Sequence, residues 1–222
     1  MLVRDANPKG DIINSGYYRL TGCVEIARFL RRVHSTVIRN GNELESVVYE
    51  HSQIKEKKKN FKSSVEETIP RSKCLVVGYK IPKEISHLES GIALDIVLLT
   101  DEEIFICELK DGQNFDTKKS AGEVEKLLKA EIFFAAEDTR NRRITLKIIL
   151  WNCPDVKGSS FKDKRGVPML VSGRDFSKKI GVDFDEVVKK RSLDQKENRK
   201  YIIEKMEEVG AADKRRESEA IL

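Results

Sequence analysis

Three ionisable residues sit where apolar strands are expected: Asp95 in GIALDIVLL, and Glu108 and Lys110 in EIFICELK. Ionised side chains on buried strands are costly unless they are paired, protonated or bound to a metal. If the two strands pair as an antiparallel hairpin around TDEE, a loop at Asp101 and Glu102 sets Val97 opposite Ile106 and Asp95 opposite Glu108. Directly opposed side chains have Cβ atoms ~4.5–5.5 Å apart, and residues two apart on a strand share a face. Asp95, Glu108 and Lys110 therefore converge at the open end of the hairpin. One carboxyl can be protonated, Lys110 can neutralise the pair in part, or a hard divalent cation can bridge it. Mg2+ suits carboxylate oxygens, retained waters and a substrate phosphate. A salt-bridged strand end is the alternative. Against it, Ile92, Leu94, Ile96, Ile104 and Ile106 predict strands buried on both faces, where such a cluster is expensive as decoration.

The surrounding elements must hold that hairpin. Apolar Leu20, Val24, Ile26, Ala27, Leu30 and Val33 predict a helix over residues 17–33. RNGN at residues 39–42 predicts a break, with Asn42 capping a second helix whose face is Leu44, Val47, Val48 and His51. KEKKKNFKSS then reads as a basic, mobile loop. Strands are expected over residues 73–82, 92–99 and 104–110. A helix follows over 116–138, capped by Asp116 or Thr117, with Val124, Leu127, Leu128, Ile132 and Phe133 as its stripe. Another strand is expected over 144–153. Beyond it come a short strand near 167–172 and helices near 184–191 and 197–209. Ile202, Ile203, Met206 and Val209 there suit core packing or a dimer contact. The order helix, three strands, helix, strand predicts an α/β or α+β fold with a mixed central sheet and flanking helices. The expected organisation is a single domain over 1–222, with a core at about 40–153, an N-terminal helical segment 1–39 and a C-terminal helical extension 154–222.

Asp95 followed by Glu108-Leu109-Lys110 resembles the D…(D/E)-x-K signature of the PD-(D/E)XK nuclease superfamily, on the second and third strands where that superfamily keeps it. The continuation ELKDGQNFDTKKS resembles stretches after the active-site strand of type II restriction endonucleases. The resemblance spans roughly residues 40–153, and Leu94 stands where the superfamily has its proline. It implies a restriction-endonuclease-like core and Mg2+-dependent hydrolysis of DNA phosphodiesters, leaving 5′-phosphate and 3′-hydroxyl ends. Asp95, Glu108 and the backbone carbonyl of Leu109 would hold the metal, and Lys110 would orient the attacking water. The superfamily often adds a glutamate from its first core helix, for which Glu43, Glu45 and Glu50 are available. With Leu44, Val47, Val48 and Tyr49 facing inward, Glu45 borders the buried side and Glu50 lies toward solvent. Glu45 is the expected contributor, and a plain surface glutamate is the alternative. The leading expectation is a homodimeric type II enzyme cutting a short palindromic duplex. A structure-specific repair nuclease or junction resolvase, and a non-catalytic DNA-binding module, remain as competing classes.

With 42 basic against 37 acidic residues and a net charge of +5, only local clusters can grip a polyanion. Lys57, Lys58 and Lys59 form one, with Lys55, Lys62 and Phe61 nearby. Lys118 and Lys119 fall in the first turn of a helix, where cations oppose the dipole and phosphate contact would offset the penalty. Arg140, Arg142 and Arg143 in TRNRRI are further candidates, as is KDKRG at residues 162–166. Double-stranded DNA is the expected partner. Four widely spaced cysteines without C-x-x-C argue against a zinc ribbon or thioredoxin site, leaving Cys74 and Cys107 as buried thiols. His34, His51 and His87 lack metal-ligand spacing. The absence of G-x-x-x-x-G-K-[ST] argues against a nucleotide cofactor. With neither a signal-peptide core nor a run of ~18 apolar residues, the expected location is the cytoplasm, with no membrane contact.

Overall fold

The computed structural model describes residues 2–7, 10–70, 72–86, 90–111, 117–153, 156, 162–163, 165–166 and 169–220, without the side chains of 38, 40–42, 86, 117–120 and 211–220. The chain divides into two compact units, Met1–Glu43 with Asp185–Leu222, and Leu44–Phe184.

In the first unit, α1 (Gly16–Thr21) begins at Ser15, whose side chain accepts the Tyr18 N–H, and ends at Gly22 in the left-handed region. That glycine splits the helix expected over 17–33, because a left-handed cap terminates the turn before it. The next helix, α2 (Val24–His51), then runs without interruption. The expected break at RNGN and the Asn42 cap are thus overturned. Glycine inside a helix costs only ~1 kcal/mol relative to alanine, and the turns beyond it bury Leu44, Val47 and Val48. The last helix of the chain, α6 (Phe184–Ala220), is likewise one element rather than two. Its Ile203 and Met206 are exposed.

The second unit is built on a mixed sheet. Among the described residues it has six strands in sequence order: β1 (Lys57–Lys59), β2 (Cys74–Ile81), β3 (Ile92–Leu99), β4 (Glu103–Lys110), β5 (Arg143–Leu150) and β6 (Leu170–Ser172). β2, β3 and β4 are antiparallel neighbours, and β1, β5 and β6 join in parallel. Lysines at positions 57–59 therefore form an edge strand rather than a mobile loop. Lysine is a common edge residue because it discourages pairing with another sheet.

A short helix α3 (Lys83–Ser86) follows β2, and α4 (Thr117–Glu137) joins β4 to its parallel neighbour β5. α4 buries Leu127, Ala130, Phe133 and Phe134 in one core with Val97, Leu99, Ile104, Ile106, Ile144, Leu146 and Ile148. Ile132, expected on its apolar stripe, is exposed instead. That core layer fixes α4 over the face carrying Val97 and Leu99 of β3 and Ile104 and Ile106 of β4. A further helix, α5 (Gly173–Ile180), was not foreseen; the Ser172 side chain caps it by accepting the Asp175 N–H. No helix among the described residues is long and apolar enough to cross a membrane.

Candidate active site

The β3–β4 hairpin has the register expected from a loop at Asp101 and Glu102: Leu99 pairs with Ile104, Val97 with Ile106 and Ile96 with Cys107. One residue further, the Asp95 carboxylate accepts the backbone N–H of Leu109 at 2.8 Å. Glu108 is 3% exposed and points to the α4 side of the sheet. Its two oxygens accept from two ammonium groups, Lys110 Nζ at 2.8 Å and Lys126 Nζ at 2.5 Å. Glu123 completes a closed network, accepting from Lys110 at 2.7 Å and from Lys126 at 3.0 Å.

Lys126 and Glu123 were not singled out in the sequence. The signal was present: Glu123 lies four residues before Leu127 and seven before Ala130, so it continues their buried line along α4. Lys126 stands in the same relation to Ala130 and Phe133. The apolar layer between α4 and the sheet thus gives way to a charged layer beyond the paired part of the β3–β4 ladder.

Electrostatics follow from that position. Burial, and then the Asp95 charge, push the Glu108 carboxyl up to about 7 against the pull of its two ammonium partners. Burial raises Asp95 as well, opposed by the Leu109 N–H. Burial and the charge on Glu108 raise Glu45, which places this α2 glutamate within electrostatic reach of the hairpin carboxylates. Glu50 is exposed. Burial alone would raise Glu123, but its contacts with Lys110, Glu108 and Lys126 carry it down to about 2. Burial would lower Lys110 and Lys126, yet Glu108 and Glu123 hold both above the ordinary lysine value.

Four carboxylates, Glu45, Asp95, Glu108 and Glu123, thus interact with Lys110 and Lys126, and Glu45 also with Lys59. Carboxylates outnumber ammonium groups in this cluster, and hard carboxylate oxygens are the donors Mg2+ prefers. Among the described residues Asp95 makes a single hydrogen bond, through one oxygen, so its other oxygen is available. As they stand, no three acidic, histidine or cysteine side chains among those residues are close enough to ligate one ion. Asp95 and Glu108 are donors of the kind a divalent cation prefers, and both oxygens of Glu108 are held by ammonium groups.

The expected DNA contacts are placed unevenly. Lys118 and Lys119 lie in the first turn of α4, but their side chains fall outside the described residues. Lys57 reaches the Ser52 carbonyl, Lys58 pairs with Glu67, and Lys59 donates to the Ser46 hydroxyl. Arg142 overturns its expected role. Its side chain is 3% exposed and grips Asp138, so it is a structural ion pair out of reach of a duplex. Arg143 is exposed and pairs with Glu103, and Arg140 is exposed. Cys74 and Cys107 are buried free thiols.

A mixed six-stranded sheet flanked by helices, with acidic residues and a lysine at the open end of its central hairpin, is a restriction-endonuclease-like architecture. The chain belongs to the type II restriction enzymes. It is 31% identical over 206 residues to the type II restriction enzyme HhaII of Haemophilus parahaemolyticus, a match covering 88% of this chain and 89% of the relative. No family model matches the chain, and no solved structure matches it at a significant level.

Proposed function

We propose that this protein is a Mg2+-dependent endonuclease of the PD-(D/E)XK kind, cutting duplex DNA at a short palindromic site as a homodimer. The observation that supports it most is the meeting of Asp95, Glu108 and Lys110 at the open end of the central hairpin, in a chain of the type II restriction family. Asp95, Glu108 and the Leu109 carbonyl would hold the cation, with Glu45 close enough to add negative charge. Bound there, Mg2+ supplies the Lewis acidity that phosphodiester hydrolysis requires.

The chain's own residues do the rest. Lys110, which has a third N–H beyond its two ion pairs and a side chain 31% exposed, orients a water for attack on phosphorus. It also offsets the negative charge that develops on the phosphoryl oxygens. As the water oxygen bonds to phosphorus, the bond to the 3′ oxygen breaks. That oxygen takes a proton and the attacking water gives one up to solvent, leaving 3′-hydroxyl and 5′-phosphate ends. Lys118, Lys119 and Arg140 are the basic residues we assign to the phosphate backbone. A palindrome with one site per strand calls for two-fold symmetry, each protomer cutting one strand.

A digest of a sequenced plasmid tests this directly. Discrete fragments in Mg2+, with 5′-phosphate ends at one repeated sequence and two chains per duplex in sedimentation, are expected. Cleavage confined to branched or single-stranded DNA, or binding without cleavage in Mg2+ and Mn2+, would refute it.

A further inference from the structure

Both oxygens of Glu108 are taken in this structure, by Lys110 at 2.8 Å and by Lys126 at 2.5 Å. Each oxygen keeps a second lone pair, but a divalent cation taking this carboxylate meets two ammonium charges already in contact with it and competes with them. Lys110 belongs to the sequence signature; Lys126 does not, and it comes from a different element. Its only other ion-pair partner among the described residues is Glu123, three residues earlier on α4, at 3.0 Å. Leu127, Ala130, Phe133 and Phe134 anchor that helix in the core, so the backbone at 123 and 126 is fixed while the lysine stem can rotate. Lysine is a point charge on a flexible four-carbon chain, and an ammonium released from Glu108 stays paired with Glu123.

We infer that Lys126 is the resident counter-ion of Glu108 in the metal-free protein, and that Glu123 keeps hold of it when a divalent cation takes that carboxylate. The inference rests on the nuclease reading of the site. Lys126 is a positioning residue: it holds Glu108 in place when the metal is absent and competes with the metal for one oxygen. The metal-free protein gains a neutralised, ordered carboxylate, and its affinity for free cations is held down. Glu123 acts in the opposite sense, by accepting the displaced ammonium.

Calorimetric titration of Ca2+ into the full-length protein without DNA tests the exchange. Lys126→Met and Lys126→Gln should bind Ca2+ at least about tenfold more tightly than wild type, the low end of what one charged hydrogen bond is worth. Either variant suffices if the other does not fold. Lys126→Arg, which keeps the competing charge, should bind no more tightly than wild type, and Glu123→Gln should bind more weakly. A purely structural Lys126 would lower the melting temperature of the uncharged variants without tightening the metal. Unchanged or weaker Ca2+ affinity in them overturns the inference, as does the absence of binding by wild type and variants alike. The plasmid digest decides the nuclease reading separately: wild type that cuts while Lys126→Met binds Ca2+ like wild type refutes the role of Lys126 alone.

Discussion

Asp95 and Leu109 are joined by a 2.8 Å hydrogen bond from the Leu109 backbone N–H to the Asp95 carboxylate, one step beyond the last paired residues of the β3–β4 ladder, Ile96 and Cys107. The carboxylate therefore has two separable properties, an acceptor that finishes the hairpin and a negative charge beside Glu108. Asp95→Asn keeps an acceptor and removes the charge, whereas Asp95→Ala removes both. Both should lower plasmid cleavage by at least about a hundredfold, the scale lost with one preorganised charge-stabilising group. The metal-free asparagine variant should melt at or above the wild-type temperature, since Glu108 loses a repelling neighbour. The alanine variant should lose ~1 kcal/mol for the unpaired Leu109 N–H. Wild-type cutting by Asp95→Asn would move the metal site elsewhere.

Glu108 also makes stability depend on pH. Its ordinary value of 4.5 is raised to about 7 in the folded chain. Between those values the folded protein holds a proton that the unfolded chain has released, so raising the pH favours unfolding. Asp95 and Glu45 are raised as well and act with the same sign. Glu123 acts with the opposite sign, but its window lies between about 2 and 4.5. Scanning calorimetry of the metal-free protein should show the melting temperature falling from pH ~5 to ~7.5, by ~2–4 °C for each kcal/mol lost in a chain of this size. Glu108→Gln should make the decline shallower. A melting temperature that rises across the interval would mean that Glu108 is held ionised by its lysines at acid pH.

The hairpin register was legible because a loop at Asp101 and Glu102 fixes which residues of the two strands oppose each other. The lesser exposure of Glu45 relative to Glu50 could be read from the helical wheel. Lys126 and Glu123 escaped notice because charged residues three apart on a helix normally mark a solvated face. Only the depth of α4 against the sheet reveals that their line is the buried one. The continuity of α2 through RNGN was hidden for a related reason. Local propensity separates helix from break by ~1 kcal/mol at a glycine, while each apolar side chain buried in the following turns contributes ~1.5–3 kcal/mol. A basic run looks uniform in sequence, and nothing local marks Arg142 as its buried member. The return of its backbone and guanidinium to Asp138 is set by the turn between α4 and β5.

That turn yields a contrast between neighbours. Arg142 and Asp138 have side chains 3% and 5% exposed, so truncating the arginine leaves a buried carboxylate without its counter-charge, held by the backbone N–H of residue 142. Arg142→Ala should cost ~3–5 kcal/mol, or roughly 10 °C in melting temperature at the scaling for this chain length. It should leave the salt dependence of DNA binding by the remaining folded protein unchanged. Arg140 is exposed, and Arg140→Ala should do the reverse. Stability should stay within ~0.5 kcal/mol, while the log–log salt slope should fall by ~0.9 for one lost phosphate contact. Thermal melts and filter binding at several salt concentrations read both quantities, and a reduced slope in Arg142→Ala would reject its structural assignment.

Lys118 and Lys119 stand in the first turn of α4, the helix that also carries Glu123 and Lys126 into the site. A cation in the first turn opposes the helix dipole, so these two lysines weaken the helix unless an anion lies beside them. Replacing both with alanine should therefore leave the DNA-free protein equally stable or slightly more so. If both contact phosphates, binding should weaken on every sequence and the salt slope should fall by ~1.8, which is ~0.9 for each contact. If they read base edges instead, the slope should hold and discrimination between cognate and mismatched sites should drop by ~1–3 kcal/mol per contact. Competition binding with cognate and scrambled duplexes at two salt concentrations separates the outcomes. Unaltered slope and unaltered discrimination together would remove both lysines from the DNA interface.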